Sequence, residues 1–501
     1  MIRQTGAGVF VFCASLLLVS CSGLPTNSGC TTNCGGSGNN ANLIVVVKGT
    51  GPTPALAIDF PYAVGNFVAD PVSGSAVGLT ADQFAFFNPD MVRLQSDTLF
   101  LFSASLPQQQ YKDIKFMGGS GLADDVVLWN PTGTPTGNGG SGYCLLTVCP
   151  VDATLVANQT FTPTTGAFPL TPPSAIALNF NPSNAITNGT TKVGVDFSQP
   201  GQLTVSTLQP INGVLDLVED FTGTVTAVTS NTVTVKPQFY GGDTGTLTFT
   251  AGSATFFDNF DSTACPAQNF TCIKTNQTIS VDAGIGVDGT LTLLEVDLLD
   301  GTSVDEVEGV ITSIDSVNSM FVMALMDSTI VSGNATLTGS EAYPGTLVQI
   351  LPSPTASYSV DNKGLPLPSA AINGFSSFTS LFVGQTVRVH ANSAAFSSSS
   401  LYLQIPSDNV VLRFSRLSST VSVAGTTSGS FFSLAASALP TYITAAGNVS
   451  GNVQVEVFPS LTHYDGVSDP GGLSVGVSTS VRALFLPSQV PALYAAKVRT
   501  H

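Results

Sequence analysis

Hydrophobic and polar residues alternate along most of the chain after residue 42. β-branched runs at residues 43–47, 224–228 and 232–235 lie between turn residues, and helical periodicity is nearly absent after the N-terminus. β-branched side chains favour strands because they pack well on a pleated surface. The pattern therefore predicts an all-β protein.

A pair of predicted strands recurs three times in the second half of the chain. The first strand of each pair opens at Gly223, Gly309 or Ser419. The second strands cover residues 232–235, 320–325 and 431–434, and each unit closes on a further strand pair within 289–299, 384–403 or 481–498. This diverged repeat predicts tandem small β-barrel or sandwich domains of about 80 to 110 residues behind one N-terminal β-sandwich-like domain.

These patterns divide the chain into six segments. Residues 1–20 are predicted to be a lipoprotein signal peptide and residues 21–42 a flexible tether, and the N-terminal domain covers 43–217. The three β repeats are predicted at 218–303, 304–410 and 411–501.

The N-terminus has the layout of a secretory signal: a basic start, an apolar run over residues 9–19, and a small-residue cleavage point. Leu18-Val19-Ser20-Cys21 resembles a bacterial lipobox. The resemblance implies that Cys21 is lipidated and becomes the first residue of the mature protein. The alternatives are a plain signal peptide or a buried helix with an incidental cysteine. An uncleaved membrane span is disfavoured because the run is shorter than the ~20 residues that a bilayer requires.

The residues after Cys21 bear on the destination of the protein. Residue 22 is Ser rather than the Asp that retains lipoproteins at the inner membrane, so the resemblance implies a cell-envelope protein anchored in the outer membrane. Residues 22–42 are mostly Ser, Gly, Asn and Thr, which bury too little apolar surface to order the chain. We therefore expect a flexible tether between anchor and β domains.

The charge balance excludes one class of partner. Lys and Arg number 15 against 32 Asp and Glu, and the resulting net charge of −17 argues against nucleic acid or an anionic membrane surface. Charged residues make up only 9% of the chain, compared with roughly 25% in ordinary soluble domains. We expect a folded protein with a polar, uncharged surface, whose partners are the membrane, through its lipid, and a glycan or an envelope protein.

Six cysteines outside the signal peptide and the lipidation site form three local pairs. The pairs are Cys30/Cys34, Cys144/Cys149 and Cys265/Cys272. An even number of close pairs in an exported protein favours disulfides. Metal ligation is the alternative, but no pair has the usual zinc spacing and no histidine lies near any of them in the sequence.

Parts of the chain resemble two bacterial families. The opening strand pairs, together with residues 384–389 and the final residues 495–501, resemble the domain of unknown function 5666. Residues 106–114 and the later segments 177–180 and 195–197 are similar to the domain of unknown function 4382, although Gln109 replaces a Gly and Asn179 an Asp. Both families are uncharacterised, so the resemblance implies an exported β-domain lipoprotein and supplies no chemistry.

The sequence predicts a protein without catalytic activity or a cofactor. It contains no nucleophile elbow, and its three histidines, His390, His463 and His501, are not spaced as metal ligands. One acidic group could bind Ca²⁺ through its oxygen atoms, and it consists of Asp297, Asp300, Asp305, Glu306 and Glu308. The simpler interpretation of this group is a solvated turn between two domains.

The lone tryptophan, Trp129, is the candidate for a glycan contact, although a core position is the simpler interpretation. The leading functional hypothesis is a lipid-anchored envelope protein with a structural or adhesive role. The alternative is a module that binds a polysaccharide or another envelope ligand, and a hydrolase is the third possibility.

Overall fold

The computed structural model describes most of the chain from residue 40 onward. The described residues are 40–49, 55–58, 62–63, 67–79, 86–87, 92–116, 123–128, 152–154, 159–163, 166–170, 174–181, 186–188, 193–195, 201–211, 213–237, 246–253, 255–258, 260, 263, 265–299, 305–329, 347–391, 397–398, 403–447 and 449–501. Within them strands predominate, and the helices are the short α1 (Ser369–Asn373), α2 (Thr441–Ala445) and five single 3₁₀ turns, at Arg93–Gln95, Phe270–Cys272, Phe378–Ser380, Ala436–Ala438 and Pro470–Gly472. The all-β prediction is confirmed.

Within the described residues the N-terminal module contains sixteen strands, nine of which form one large sheet. Its strands are β1 (Asn40–Gly49), β2 (Ala55–Ile58), β3 (Tyr62–Ala63), β4 (Phe67–Pro71), β5 (Val77–Leu79), β6 (Phe86–Phe87), β7 (Leu99–Pro107), β8 (Gln110–Phe116), β9 (Ala123–Leu128), β10 (Asp152–Thr154), β11 (Gln159–Pro163), β12 (Phe168–Pro169), β13 (Ser174–Phe180), β14 (Ile186–Asn188), β15 (Val193–Val195) and β16 (Leu203–Thr207). The large sheet has the order β5-β4-β8-β11-β16-β13-β1-β7, with β12 beside β8. β1 begins inside the segment predicted as tether, and its run 43–47 is fully buried between β13 and β7.

The next module, barrel 1, contains six strands. They are β17 (Val214–Val228), β18 (Thr232–Pro237), β19 (Leu247–Thr250), β20 (Phe256–Asp258), β21 (Thr278–Gly286) and β22 (Leu291–Leu298). The sheet order is β19-β18-β17-β21-β22-β20, and a parallel pairing of Thr250 with Thr292 joins β19 to β22. That pairing closes five strands around the buried Val225, Val235 and Phe249.

Barrel 2 repeats this arrangement. Its strands are β23 (Asp305–Asp315), β24 (Met320–Thr329), β25 (Leu347–Val360), β26 (Thr386–Ala391), β27 (Ser397–Ser398) and the first half of β28 (Leu403–Val423). The order is β25-β24-β23-β26-β28, and a parallel β25–β28 pairing closes the barrel.

Barrel 3 begins on the second half of β28. Its other strands are β29 (Phe431–Ala435), β30 (Asn452–Val457), β31 (His463–Asp465), β32 (Ser478–Phe485) and β33 (Leu493–Thr500). β28 pairs with β29 and β32, and the parallel β30–β33 pairing closes the barrel.

The three barrels share one topology. In each, the first strand pairs with the second and fourth, the fourth with the fifth, and the third runs parallel to the fifth. This closed five-stranded Greek-key arrangement is that of the OB-fold. The strand pairs predicted at residues 223, 309 and 419 supply the first two strands of each barrel.

Two predicted domain boundaries fall inside continuous strands. The boundary at 410/411 lies within β28, which pairs with β25 and β26 up to Arg413 and with β32 from Phe414. The boundary at 217/218 lies within β17. Barrels 2 and 3 therefore share a strand and are not joined by a linker there. The sequence prediction missed this because residues 406–409 of β28 are turn-type residues, and yet the chain continues through them as one strand.

Candidate functional site

Most of the basic side chains of this charge-poor protein lie inside it. Nine of the 15 Lys and Arg residues form ion pairs with eleven carboxyl groups where the four modules meet. We call one group the Asp216 cluster; it consists of Lys48, Asp216, Glu219, Asp465, Lys497 and Arg499. The other is the Asp220 cluster, which consists of Arg93, Asp97, Asp220, Asp282, Glu295, Asp297, Glu306, Glu308, Asp361, Lys363, Arg388, Arg413, Arg416 and Arg482.

A bulge in β17 aims Asp220 into the second cluster. The ladder between β17 and β21 shifts register between Val218 and Phe221, and Asp220 has a left-handed φ of 50°. Its backbone N–H donates to Asp282 Oδ1 at 2.6 Å. The Asp220 carboxylate accepts hydrogen bonds at 2.5 to 3.0 Å from Arg93, Lys363, Arg416 and Arg482. Asp220 thus combines a strained backbone conformation with a carboxylate that binds several cations.

Barrel 1 is the purely acidic side of the junction. In both clusters barrel 1 contributes only carboxyls, which are Asp216, Glu219, Asp220, Asp282, Glu295 and Asp297. The facing strands β28, β32 and β33 contribute bases, which are Arg413, Arg416, Arg482, Lys497 and Arg499. Arg482 Nη1 lies 2.9 Å from Asp282 Oδ2. Because buried charges are tolerated only when they are paired, these contacts fix the relative placement of the barrels.

The Asp216 cluster ties barrel 3 to the N-terminal module as well. Lys48 of β1 lies 2.7 Å from Asp465, which also binds Arg499 at 2.7 Å. The Arg499 guanidinium donates to the backbone carbonyls of Leu94, Gln95 and Asp97. Strand β33 is therefore hydrogen-bonded through Arg499 to the segment just before β7.

The clusters shift carboxyl pKa values in two directions. Burial alone would raise the pKa of Asp220, but Arg482, Lys363 and Arg416 hold it well below its usual value. Lys48 and Lys497 likewise keep the pKa of Asp216 low against burial. For Glu219 and Glu295 burial prevails, and it raises the pKa to about 7 and about 8.

Three of the five predicted acidic residues, Asp297, Glu306 and Glu308, belong to the Asp220 cluster, and their interpretation as part of a solvated turn was wrong. Asp297 binds Arg388 at 3.0 Å, Glu306 lies 3.6 Å from the same arginine, and Glu308 binds Arg413 at 3.1 Å. Asp305 is 1% exposed, and Asp300 lies outside the described residues. No three His, Cys, Asp or Glu side chains in the described part of the chain are grouped so as to hold a metal ion.

The three histidines lie on separate elements. His390 of β26 sits between Glu306 and Asp408, 3.3 Å and 3.2 Å away. In His463 of β31, burial lowers the pKa to about 4, and burial has the same effect on His501. His501 Nε2 lies 2.6 Å from the hydroxyl of Ser480, but Ser480 is fully buried and closed to a substrate.

One predicted cysteine pair is confirmed. Cys265 and Cys272 form a disulfide with their Cα atoms 5.6 Å apart, in the connection between β20 and β21. The remaining candidates lie outside the described residues: Cys21, Cys30, Cys34, Cys144, Cys149 and Trp129.

Barrel 1 presents a threonine face on its first three strands. While Val225, Val233 and Phe249 point into the barrel, the alternate positions carry six exposed or half-buried threonines. We call these the threonine face: Thr224, Thr226, Thr232, Thr234, Thr248 and Thr250. The hydroxyls of the directly paired Thr234 and Thr248 lie 3.0 Å apart.

The basic half of the clusters escaped sequence analysis because its pairs span great distances along the chain. Lys48 and Asp465, for example, are 417 positions apart. A local signal does exist, since Arg482 is the one charge in β32, and Lys497 and Arg499 follow the apolar run that opens β33. A lone base at a buried strand position needs a partner, but the sequence does not say which one.

Comparison with known proteins bears on barrel 1. Residues 222–297 match the family model described as "Domain of unknown function (DUF5666)". This match supports the resemblance proposed from the sequence for the unit that runs from β17 to β22. No curated protein matches the chain. A solved chain titled "drosophila Unr CSD456" is 9% identical, with a TM-score of 0.12 over 56% of this chain and 97% of that one. Among the described residues no helix is long and apolar enough to cross a membrane.

Proposed function

We propose that this protein is a lipid-anchored, non-catalytic component of the cell envelope, with a structural or adhesive role. In this proposal Cys21 carries the lipid, the segment after it is a tether, and the β modules form the presented body. The observation that supports it is the location of the charged groups, because nine basic side chains form buried ion pairs where the modules meet. Such an arrangement suits a body that keeps its shape while presenting polar, uncharged surfaces.

The anchor is tested by Cys21→Ala, with Cys13→Ala inside the signal segment as the matched control. We expect Cys21→Ala to abolish incorporation of labelled palmitate and to release the protein from membranes, while Cys13→Ala retains both. Membrane retention of the Cys21→Ala protein would contradict the lipid anchor.

The site of action is tested by protease treatment of intact and lysed cells, followed by antibody detection of the β modules. Loss of signal from intact cells supports an outward-facing, adhesive role. Protection until lysis supports a structural role inside the envelope. Recovery of the protein in the cytoplasmic fraction would contradict both roles.

The threonine face favours a second candidate function, the binding of an uncharged polysaccharide. OB-folds bind oligosaccharides and oligonucleotides across this part of the barrel, and the net charge of −17 disfavours the polyanion. In barrel 2 the positions equivalent to Thr234 and Lys236 are Val322 and Ala324, which are buried in one hydrophobic cluster with barrel 3 residues. The face is thus open and hydroxyl-rich in barrel 1, whereas its equivalent in barrel 2 is covered.

Affinity electrophoresis in gels containing dextran, glucomannan or xyloglucan tests this candidate. We expect at least one polysaccharide to retard the protein, and the double substitution Thr234→Val with Thr248→Val to remove the retardation. Thr355→Val, at an exposed position of β25, is the control that keeps it. Equal migration of all variants in every gel would contradict glycan binding.

A further inference from the structure

The two buried clusters contain more acidic than basic groups. Eleven carboxyls face nine Lys and Arg side chains. A buried net negative charge is costly, so the closed junction favours protons on two of the carboxyls. Glu219 and Glu295, both from barrel 1, have the surroundings that favour a proton.

Glu295 faces other acids and shares its nearest base. It pairs directly with Asp282 across the β21–β22 ladder, and Asp297 follows on its own strand. Like charges at opposed positions of a ladder destabilise it. Lys363, at 3.3 Å, also binds Asp220 at 2.9 Å and lies 3.7 Å from Asp282. Arg413 of β28 is the other base that acts on Glu295. The buried Oε1 atom of Glu295 is the one that faces Lys363 Nζ, and it accepts no further hydrogen bond within the described structure.

Glu219 is in a similar position in the other cluster. Its Oε1 lies 2.7 Å from Lys497 Nζ, and Lys497 is shared with Asp216 at 3.2 Å. Its Oε2 accepts the backbone N–H of Thr98 at 2.8 Å. The other charged groups around it are Asp97 beside β7, Asp216 and Asp220 on its own strand, Arg482 of β32 and Arg499 of β33. Burial raises the pKa of Glu219 to about 7 and that of Glu295 to about 8.

We propose that the clusters form a proton-dependent junction, in which barrel 1 stays docked on barrels 2 and 3 while Glu219 and Glu295 are protonated and opens when both ionise. The docked form holds these protons to a higher pH than free glutamate, whose pKa is 4.5. Opening therefore releases protons, and the docked form weakens as pH rises. His463 and His501 have pKa values lowered from 6.5 to about 4, so their effect lies below pH 6.5. The interval from pH 6.5 to 8.5 lies above their effect. His390, whose pKa is raised by the hydrogen bond with Glu306, has Glu306 and Asp408 as partners inside barrel 2 and not across the junction.

Hydrogen exchange of the full-length mature protein tests the junction. The amide of Thr98 donates to Glu219 of the first cluster, and the amide of Asp220 donates to Asp282 within barrel 1. Both carboxylates of the Asp220–Asp282 pair are bound by Arg482 of barrel 3, so these two amides lie beside the contacts that would open. After correction for intrinsic exchange rates, we expect their protection to fall by up to about a hundredfold between pH 6.5 and 8.5, which follows from the release of two protons. Protection of β24 in barrel 2 should change little. Unchanged protection at both amides, or an equal loss in β24, would overturn the proposal.

Substitutions identify the groups that titrate. In the double variant Glu219→Gln with Glu295→Gln, we expect protection of the Thr98 and Asp220 amides to change by less than about threefold over the same interval. The reason is that the two glutamine side chains cannot ionise. Glu308→Gln is the matched control, since Arg413 and Arg416 keep the pKa of Glu308 low against burial. It should weaken protection at both pH values and keep the wild-type ratio. A double variant with the wild-type ratio would overturn the proposal, and if it fails to fold, the wild-type pH profile alone decides.

Discussion

Asp220 is surrounded by five basic side chains of three modules. Arg93 comes from the N-terminal module, Lys363 from barrel 2 and Arg482 from barrel 3, while Arg413 and Arg416 lie on the shared strand β28. Removing one partner of a buried ion pair costs far more than the pair contributes, because the other charges stay buried without compensation. Asp220 is thus the residue on which the junction depends most directly.

The first prediction concerns Asp220→Asn. We expect this change to lower the free energy of unfolding by about 3 to 5 kcal/mol, since the cations around it lose their shared counter-charge without a change of side-chain volume. Denaturant titration followed by circular dichroism measures it. Asp408→Asn is the control, because the Asp408 side chain is 78% exposed and its pair with His390 contributes at most about 1 kcal/mol. Equal losses in the two variants would contradict this account.

The histidines give a second prediction at the same scale. Burial and the positive charge of Lys497 lower the pKa of His463 to about 4, whereas the hydrogen bond with Glu306 raises the pKa of His390 above 6.5. At pH 5.5 we therefore expect a neutral His463 and a charged His390. NMR titration of the imidazole resonances measures both. Glu306→Gln should lower the pKa of His390 and leave the pKa of His463 unchanged. A His463 pKa at or above 6.5 would show that water reaches its imidazole, which would contradict the prediction.

The first strand of each barrel carries the same local device. Gly223, Gly309 and Ser419 each stand two residues before a buried Val225, Ile311 or Val421, where the register of the strand pair shifts. At Gly223 and Gly309 a Cβ atom would collide with a backbone carbonyl of the second strand. In barrel 3 the ladder between β28 and β29 ends at Val421, which leaves room for Ser419 to donate to the carbonyl of Ala435.

Gly309→Ala tests this device. Because Gly309 faces the Ala324 carbonyl, a fixed backbone atom, we expect a loss of about 1 to 3 kcal/mol in the free energy of unfolding. Gly78→Ala is the matched control in another strand, since a Cβ there meets nothing within 4 Å. The control should be neutral or stabilise by about 0.5 to 1 kcal/mol, because alanine loses less chain entropy on folding. A neutral Gly309→Ala protein would show that the two strands can separate at this point.

At the scale of elements, much of the fold could be predicted from the sequence. The alternation of β-branched residues located β18, an apolar run located β24, and the glycine or serine that opens each unit lies on the first strand of a barrel. The closing pairings between third and fifth strands could not be predicted, because they join parallel strands far apart in the chain and leave no turn signature. Alternation is visible within a few consecutive residues, whereas barrel closure depends on residues far apart in the chain.

At the scale of the whole molecule, the candidate site was the least predictable feature. Local spacing brought out the acidic residues near the join of barrels 1 and 2, but their arginine partners come from β26 and β28. Without those partners the acids resemble a solvated turn or a calcium site. The low charged fraction of 9% was the one global hint, because charges that are few and buried must be paired.

The shared strand β28 predicts that barrels 2 and 3 lose structure together. Its 21 residues pair with β25 and β26 in barrel 2, then with β32 and β29 in barrel 3, so neither barrel can open without releasing strand edges of the other. We expect Val481→Ala, a fully buried position in barrel 3, to cost about 2 kcal/mol and to lower hydrogen-exchange protection equally in β24 and β29. Val233→Ala, equally buried in barrel 1, should lower protection in β17 to β19 and spare β24. A loss confined to β29 after Val481→Ala would show that the strand bends freely between two independent barrels.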